Sequence, residues 1–180
     1  MDKEEIINSI KLSQTGNTEA FGRLFDYYYP EIHRYIYYRV GHQQDAEDVT
    51  ASIFIKIWDK INLYDQEKAS FRVWIYRVAH NHMVDFYRKK RETYELHENA
   101  MLMDPKDNPE ILTNQEKKRL LEALNKLTPV QQQILQLQFF SDLSNKEIAN
   151  IVDKKEGAIR AIQFRALRTL LDELKPYYEE

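Results

Sequence analysis

The sequence has no cysteine, which excludes a disulfide framework, a thiolate metal site and a cysteine nucleophile, and suits a reducing cytosol. Glycine and proline are scarce, four and five among 180 residues, and strand-like alternation is absent. No apolar run approaches the roughly 18 residues that span a bilayer, and the opening Met1-Asp2-Lys3-Glu4-Glu5 lacks a signal-peptide pattern. A soluble, cytoplasmic protein without membrane insertion is expected. His33, His42 and His97 show no metal-ligand spacing, so neither a metal nor another cofactor is expected.

Helical periodicity fills the chain instead. Apolar residues recur at spacings of three and four almost throughout, which predicts an all-α fold. A chain of this length with 43% apolar residues can bury one large core or two small ones. The net charge of −3 argues by itself against a DNA partner, but its distribution argues for one. Residues 71–91 sum to +5 and 116–171 to +4, while 1–70, 92–115 and 172–180 sum to −4, −5 and −3. Two separate basic surfaces follow, on two small helical domains at 1–91 and 113–180. Residues 92–112, acidic, without periodicity and carrying Pro105 and Pro109, read as a flexible acidic linker between them.

In the first domain a helix is expected over Glu4 to Leu12, and a second after Asn17 or Thr18 carrying Phe21, Leu24, Phe25 and Tyr28. Tyr29-Pro30 should open a third, through Ile32, Tyr35 and Ile36 to a stop at Gly41. Asp45 to Ile61 buries Val49, Ile53, Phe54, Ile57, Trp58 and Ile61 and presents Asp45, Asp48, Ser52, Ile55 and Asp59 on the other face. Ile55 on an acidic face is either a partner contact or a single exposed apolar residue.

Ser70 to Arg91, SFRVWIYRVAHNHMVDFYRKKR, is the densest basic and aromatic stretch: from Phe71 it holds six Lys or Arg against one acid, Asp85. Cations that follow phosphates and rings that stack on bases, at about 1–3 kcal/mol per base, describe a single-strand nucleic-acid groove. Periodicity puts Phe71, Trp74, Ile75, Val78, Ala79, His82 and Phe86 in the core. It leaves Val73, Tyr76, Arg77, His80, Asn81, Tyr87, Arg88 and Arg91 outside, with Tyr76 and Tyr87 as stacking candidates.

In the second domain capping patterns start three helices: Thr113 to Glu116, Thr128-Pro129, and Ser144 to Glu147. Asn145 to Phe164 fits a helix-turn-helix, with Ile148, Val152, Ile159 and Ile162 inward, small Ala149 at the crossing and a turn at Asp153-Lys154-Lys155. Glycine is usual where Asp153 stands, although Asp tolerates left-handed geometry better than most residues. The second helix, Glu156 to about Leu174, presents Arg160, Gln163, Phe164, Arg165 and Arg168 where a recognition helix meets base edges.

Taken in order, the helix at Phe21 to Tyr28, Ala46-Glu47-Asp48 to Trp58, FRVWIYRVAHN at 71–81 with Asp85 and Arg88, and Ser144 to Leu171 resemble the extracytoplasmic-function type of bacterial sigma factor, the smallest members of the sigma-seventy family. The resemblance implies a sigma region 2 helical bundle at 1–91, which binds core RNA polymerase and the melted minus-ten promoter strand. It implies a sigma region 4 helix-turn-helix at 113–180, which reads the minus-thirty-five element as duplex. Carried across, Asp45, Asp48, Ser52 and Ile55 face polymerase, and Ser70, Tyr76, Arg77, His80, Asn81, Tyr87, Arg88, Lys89 and Lys90 lie along the minus-ten strand. Lys154, Lys155, Arg160, Ala161, Phe164, Arg165 and Arg168 meet the minus-thirty-five element.

The family also implies an anti-sigma factor as partner, and neither catalysis nor a small-molecule substrate. Two departures stand out. Ala51-Ser52 occupies positions where Gln followed by an acid is frequent, and Ala158 and Ala161 replace common Thr and Ser, which favours apolar contact such as a thymine methyl. Two other readings remain at this level. A stand-alone helix-turn-helix regulator explains residues 113–180 but not the acidic and basic helices before them, and a helical interaction protein explains neither basic block. His80-Asn81-His82 spells a nuclease motif, but three consecutive residues of one helix point to different faces and cannot surround a metal.

Overall fold

The computed structural model describes residues 1–93 and 114–177, with side chains throughout except at 89–93, 114, 117 and 121. The chain divides into two compact units, one of residues 1–37 and 42–96 and one of residues 38–41 and 97–180. Every regular element among the described residues is helical. The linker expected at 92–112 and the capping residue Thr113 lie outside the described residues, apart from the last turn of the helix that ends at Thr93.

The first unit begins with α1 (Lys3–Gln14), whose start is fixed by a reciprocal pair: Glu5 N–H donates to Asp2 and Asp2 N–H donates to Glu5. Next comes α2 (Thr18–Val40), a single helix of 23 residues with Pro30 inside it. Pro30 was expected to open a separate helix; it does not, because Leu24, Tyr28, Ile32, Tyr35 and Ile36 bury one continuous face on both sides of it. That burial outweighs the roughly 3 kcal/mol a helix-interior proline costs. The stop at Gly41 is as expected, at φ +72°, where glycine carries no Cβ penalty.

α3 (Gln43–Lys60) continues into a 3₁₀ turn at Ile61–Leu63, and α4 (Phe71–Thr93) follows a short loop. Aromatic pairs join the helices. Phe25 meets Phe54 and Phe21 meets Trp58 between α2 and α3, at 4.7 and 4.9 Å. Tyr35 meets Tyr76 and Tyr28 meets Phe71 between α2 and α4, at 5.4 and 5.6 Å. Each such pair adds about 0.5–1.5 kcal/mol beyond the area it buries.

Burial, with smaller contributions from neighbouring Tyr27 and Glu31, pushes the Tyr28 phenol up from 10.0 to about 12. The folded chain therefore holds this proton above the pH at which the unfolded chain has released it. The stabilisation is complete below pH 10 and is lost as pH rises from 10 to 12. Tyr28→Phe should remove on the order of 2 kcal/mol of that alkaline loss. Urea unfolding of the two proteins at pH 9 and pH 11.5 checks it, and equal losses in both would contradict it.

The second unit comprises α5 (Asn114–Asn125), α6 (Pro129–Phe139), α7 (Asn145–Val152), α8 (Glu156–Leu174) and a 3₁₀ turn at Lys175–Tyr177. α8 packs against each of α5, α6 and α7. Leu127, Leu135 and Ala166 form one cluster with Leu124 and Leu170 beside it, and Ile134, Leu137, Ile148, Ile151 and Ile159 are also buried in this unit. Both expected caps of the α6 and α7 starts are present as full capping boxes, Thr128 with Gln131 and Ser144 with Glu147. Asp153 turns the chain between α7 and α8 at φ 53°, ψ 52°, the left-handed geometry the helix-turn-helix reading asks for.

Candidate nucleic-acid interface

α3 turns one face inward and leaves a ridge outside. Val49, Ile53, Phe54 and Ile57 are buried, while Asp45, Asp48, Ser52, Ile55 and Asp59 are exposed, Ile55 at 63%. Asp45 in the first turn also suits the positive end of the helix dipole. Ser52 and Ile55 lie beyond the reach of that effect. The ridge is therefore acidic with an apolar side chain standing in it.

On α4 the predicted faces need correction. Phe71, Ile75 and Ala79 are buried as expected, but Val73, Tyr76 and Met83 are buried too, and Trp74, Val78, His82 and Phe86 are half-buried. Tyr76, expected as a stacking platform on the minus-ten strand, is 0% exposed, its ring against Tyr35 and its hydroxyl donating to Glu31 at 2.9 Å. It cannot stack on a base without unfolding the helix pair. The cause is that α4 packs against both α2 and α3, so its buried arc is wider than one stripe.

Arg72, counted in the basic stretch, likewise turns to Glu31, with Nε and Nη2 donating to Oε1 at 2.8 and 2.5 Å. Among the described side chains of α4, Arg77, Asn81, Val84 and Arg88 remain outside, with His80 and Tyr87 half-buried beside them. Arg88 pairs with Asp85 on the surface at 3.1 Å, a contact worth little in water and easily exchanged for a phosphate. Exposed Ser70 caps the helix start, its hydroxyl accepting from Val73 N–H at 3.3 Å. Lys89 and Lys90 follow on the helix, their side chains outside the described ones.

The loop before α4 is tied down at both ends. Gln14 of α1 donates to the carbonyls of Ile61 and Tyr64 at 3.0 and 3.1 Å, and the Tyr64 hydroxyl donates to Ala69 O at 3.1 Å. Within it, the Glu67 backbone N–H, then Lys68, holds the Asp65 carboxyl below its ordinary range. The first turn of α4 is thus presented from a braced loop.

In the second unit α8 exposes Arg160, Ala161, Phe164, Arg165 and Arg168, and the turn before it exposes Lys154 and Lys155. Phe164 is 66% exposed, with Leu167 and Leu171 continuing the apolar strip. Arg160 is held by Glu156 one turn back, and Arg168 lies 3.9 Å from Asp172. Gln163, expected outside, is instead 7% exposed, and its amide donates to Gln138 Oε1 and Asn145 Oδ1 at 2.7 and 2.8 Å. It fixes how α8 meets α6 and α7, and so where the outward side chains stand.

The sequence reading missed Glu31, Gln14 and this role of Gln163. An acid between the buried positions Tyr28 and Ile32 was the one available signal for Glu31. Among the described residues no group of His, Asp or Glu could hold a metal ion, and no helix is long and apolar enough to cross a membrane.

Comparison with known proteins agrees with this layout. Sigma-70 region 2 matches residues 24–93 and Sigma-70 region 4 matches residues 123–171, together well over half the chain. The chain is 34% identical over 175 residues to the ECF RNA polymerase sigma factor BldN of Streptomyces coelicolor, covering 94% of this chain and 66% of that longer protein. It is 26% identical to the ECF RNA polymerase sigma factor RpoE of Cereibacter sphaeroides, over 88% of this chain and 86% of the relative. In fold it matches the sigma factor RpoE of Bartonella quintana, solved with the anti-sigma factor NepR, at TM-score 0.70 and 20% identity over 89% of this chain and 98% of the other. An acidic helix ahead of a basic one in the first unit, a helix-turn-helix in the second and both family regions in that order make the chain a member of the sigma-70 family of RNA polymerase sigma factors, of the extracytoplasmic-function type.

Proposed function

We propose that this chain binds core RNA polymerase and directs it to a limited promoter set, with three surfaces dividing the work. The exposed ridge of α3, Asp45, Asp48, Ser52 and Ile55, docks on polymerase. The outer face of α4, Ser70, Arg77, His80, Asn81, Tyr87 and Arg88 with Lys89 and Lys90 beyond, holds the melted minus-ten strand. Lys154, Lys155, Arg160, Ala161, Phe164, Arg165 and Arg168 read the minus-thirty-five duplex. On this reading residues 1–91 and 113–180 work as separate domains, in the cytoplasm where polymerase and DNA are. The carrying observation is the pairing, within one unit, of an acidic exposed α3 face with an α4 face that keeps Arg77, Asn81 and Arg88 outside.

No catalytic group is required. A base pair opens when an unpaired base binds protein more favourably than it stacks, which offsets a few kcal/mol per extruded base. Asn81 offers an amide that donates and accepts, suited to a base edge. The solved complex of a similar sigma factor with the anti-sigma factor NepR supports a partner of that kind here, one that covers these faces until a signal releases them.

Asn81→Ala should lower the rate of promoter opening about tenfold, in line with the loss of one base contact, and leave closed-complex affinity within about twofold. Permanganate footprinting for opening and a filter assay for closed binding separate the two. Equal loss in both would remove Asn81 from strand capture.

A further inference from the structure

We infer that Glu31 is a positioning residue for strand capture: it touches no DNA but sets the angle at which α4 presents its outer face. The inference rests on the reading of α4 as the strand-binding helix. Glu31 sits on α2 directly after Pro30, and one oxygen of its carboxylate accepts from three donors on α4, Arg72 Nε, Arg72 Nη2 and the Tyr76 hydroxyl. Tyr76 is fully buried, and the Glu31 and Arg72 side chains keep 21% and 36% exposure.

The apolar contacts between α2 and α4, Tyr35 on Tyr76 and Tyr28 on Phe71, hold the helices together but are weakly directional. Charge-assisted hydrogen bonds are directional. Arg72 and Tyr76 are four residues apart on one face of α4, so bonds from both to a single oxygen resist rotation of the helix and sliding along its axis.

Asn81 is five residues beyond Tyr76, about 140° round the helix and about 7.5 Å along it. A helix rotation of about 15° carries a side-chain tip roughly 6–7 Å from the axis through nearly 2 Å, well past the ~0.5 Å that a binding constellation tolerates. The same carboxylate also pairs the Arg72 guanidinium on the α2 side, so the exposed α4 cations, Arg77 and Arg88, are those further along the helix. Glu31 therefore defines both the angle and the membership of the basic face.

The test uses full-length protein assembled with core polymerase, and a single-stranded oligonucleotide carrying the non-template minus-ten sequence of a promoter mapped with the wild-type holoenzyme. Glu31→Gln keeps the volume and removes the charge; Tyr76→Phe removes one donor and keeps the ring in the core. Glu31→Gln is expected to weaken oligonucleotide binding five- to tenfold and Tyr76→Phe two- to threefold, with affinity for core polymerase within twofold in both. Polymerase docking uses α3 of the same unit, so a merely structural role would lower both affinities in proportion. Such a parallel loss, or unchanged oligonucleotide binding, overturns the inference. If Glu31→Gln does not fold, Tyr76→Phe decides by the same criterion. A wild-type holoenzyme that fails to hold the oligonucleotide sinks the strand-capture reading itself, which is a different result.

Discussion

Reversing Asp45 and Asp48 to lysine should lower affinity for core polymerase about a hundredfold and abolish promoter-directed transcription, while leaving the helix-turn-helix folded and able to bind duplex DNA. Both carboxylates are exposed on the α3 ridge, so the substitutions empty no cavity and strand no buried partner. Their cost to stability is confined to the helix dipole, at about 0.3–1 kcal/mol for Asp45 in the first turn. At an interface, close charge pairs couple by about 1.5–7 kcal/mol, and reversal replaces attraction by repulsion. About 3 kcal/mol in total gives the hundredfold. Ile55→Ala should cost less, about tenfold, since one apolar side chain that stands 63% exposed in the free protein contributes through its burial alone. Surface plasmon resonance on immobilised core enzyme, with thermal unfolding as the control for fold, reads both. Unchanged affinity in the double lysine variant would move the docking face elsewhere.

The second large effect belongs to α8. Arg165→Ala should cost about 1–3 kcal/mol of discrimination, ten- to a hundredfold, at one position of the minus-thirty-five element and little on unrelated duplex. Phe164→Ala should relax preference at a neighbouring position, because a ring exposed at 66% gains most by covering a thymine methyl. Lys154→Ala with Lys155→Ala should instead weaken all duplexes alike and reduce the slope of log affinity against log salt by about 2, the signature of two phosphate contacts. A selection from random duplexes, repeated at several salt concentrations, distinguishes base contacts from phosphate contacts. If Arg165→Ala weakened every sequence equally, α8 would not be reading bases there.

These effects were legible in the sequence to different degrees, and the reasons are local. In the second unit the starts of α6 and α7 were marked by their own caps, Thr128 with Gln131 and Ser144 with Glu147, while α8 begins at Lys155 with no side-chain cap and was placed by the turn at Asp153, which needs φ above zero. Caps and turns are written in adjacent residues. The ridge of α3 was legible because its buried residues Val49, Ile53, Phe54 and Ile57 recur at spacings of three and four and leave the acidic side exposed.

α4 was harder. Its residues meet both α2 and α3, and periodicity shows where a buried stripe is centred but not how many neighbours widen it, so Tyr76 was placed outside. Gln163 misled for a related reason. A polar side chain reads as exposed until its partners, Gln138 and Asn145, are brought beside it by the fold. Pro30 misled because the local rule for a helix break was overridden by burial on either side of it.

The central claim is that this chain turns core polymerase into a promoter-specific enzyme. Purified protein added to core RNA polymerase, with transcript starts mapped across a genomic DNA library, measures that directly. Starts at a limited set of promoters sharing two elements, lost in the Asp45→Lys/Asp48→Lys protein and reduced by Arg165→Ala, are the predicted result. Tight duplex binding by the protein alone, with no association with core enzyme and no new starts, would contradict the account.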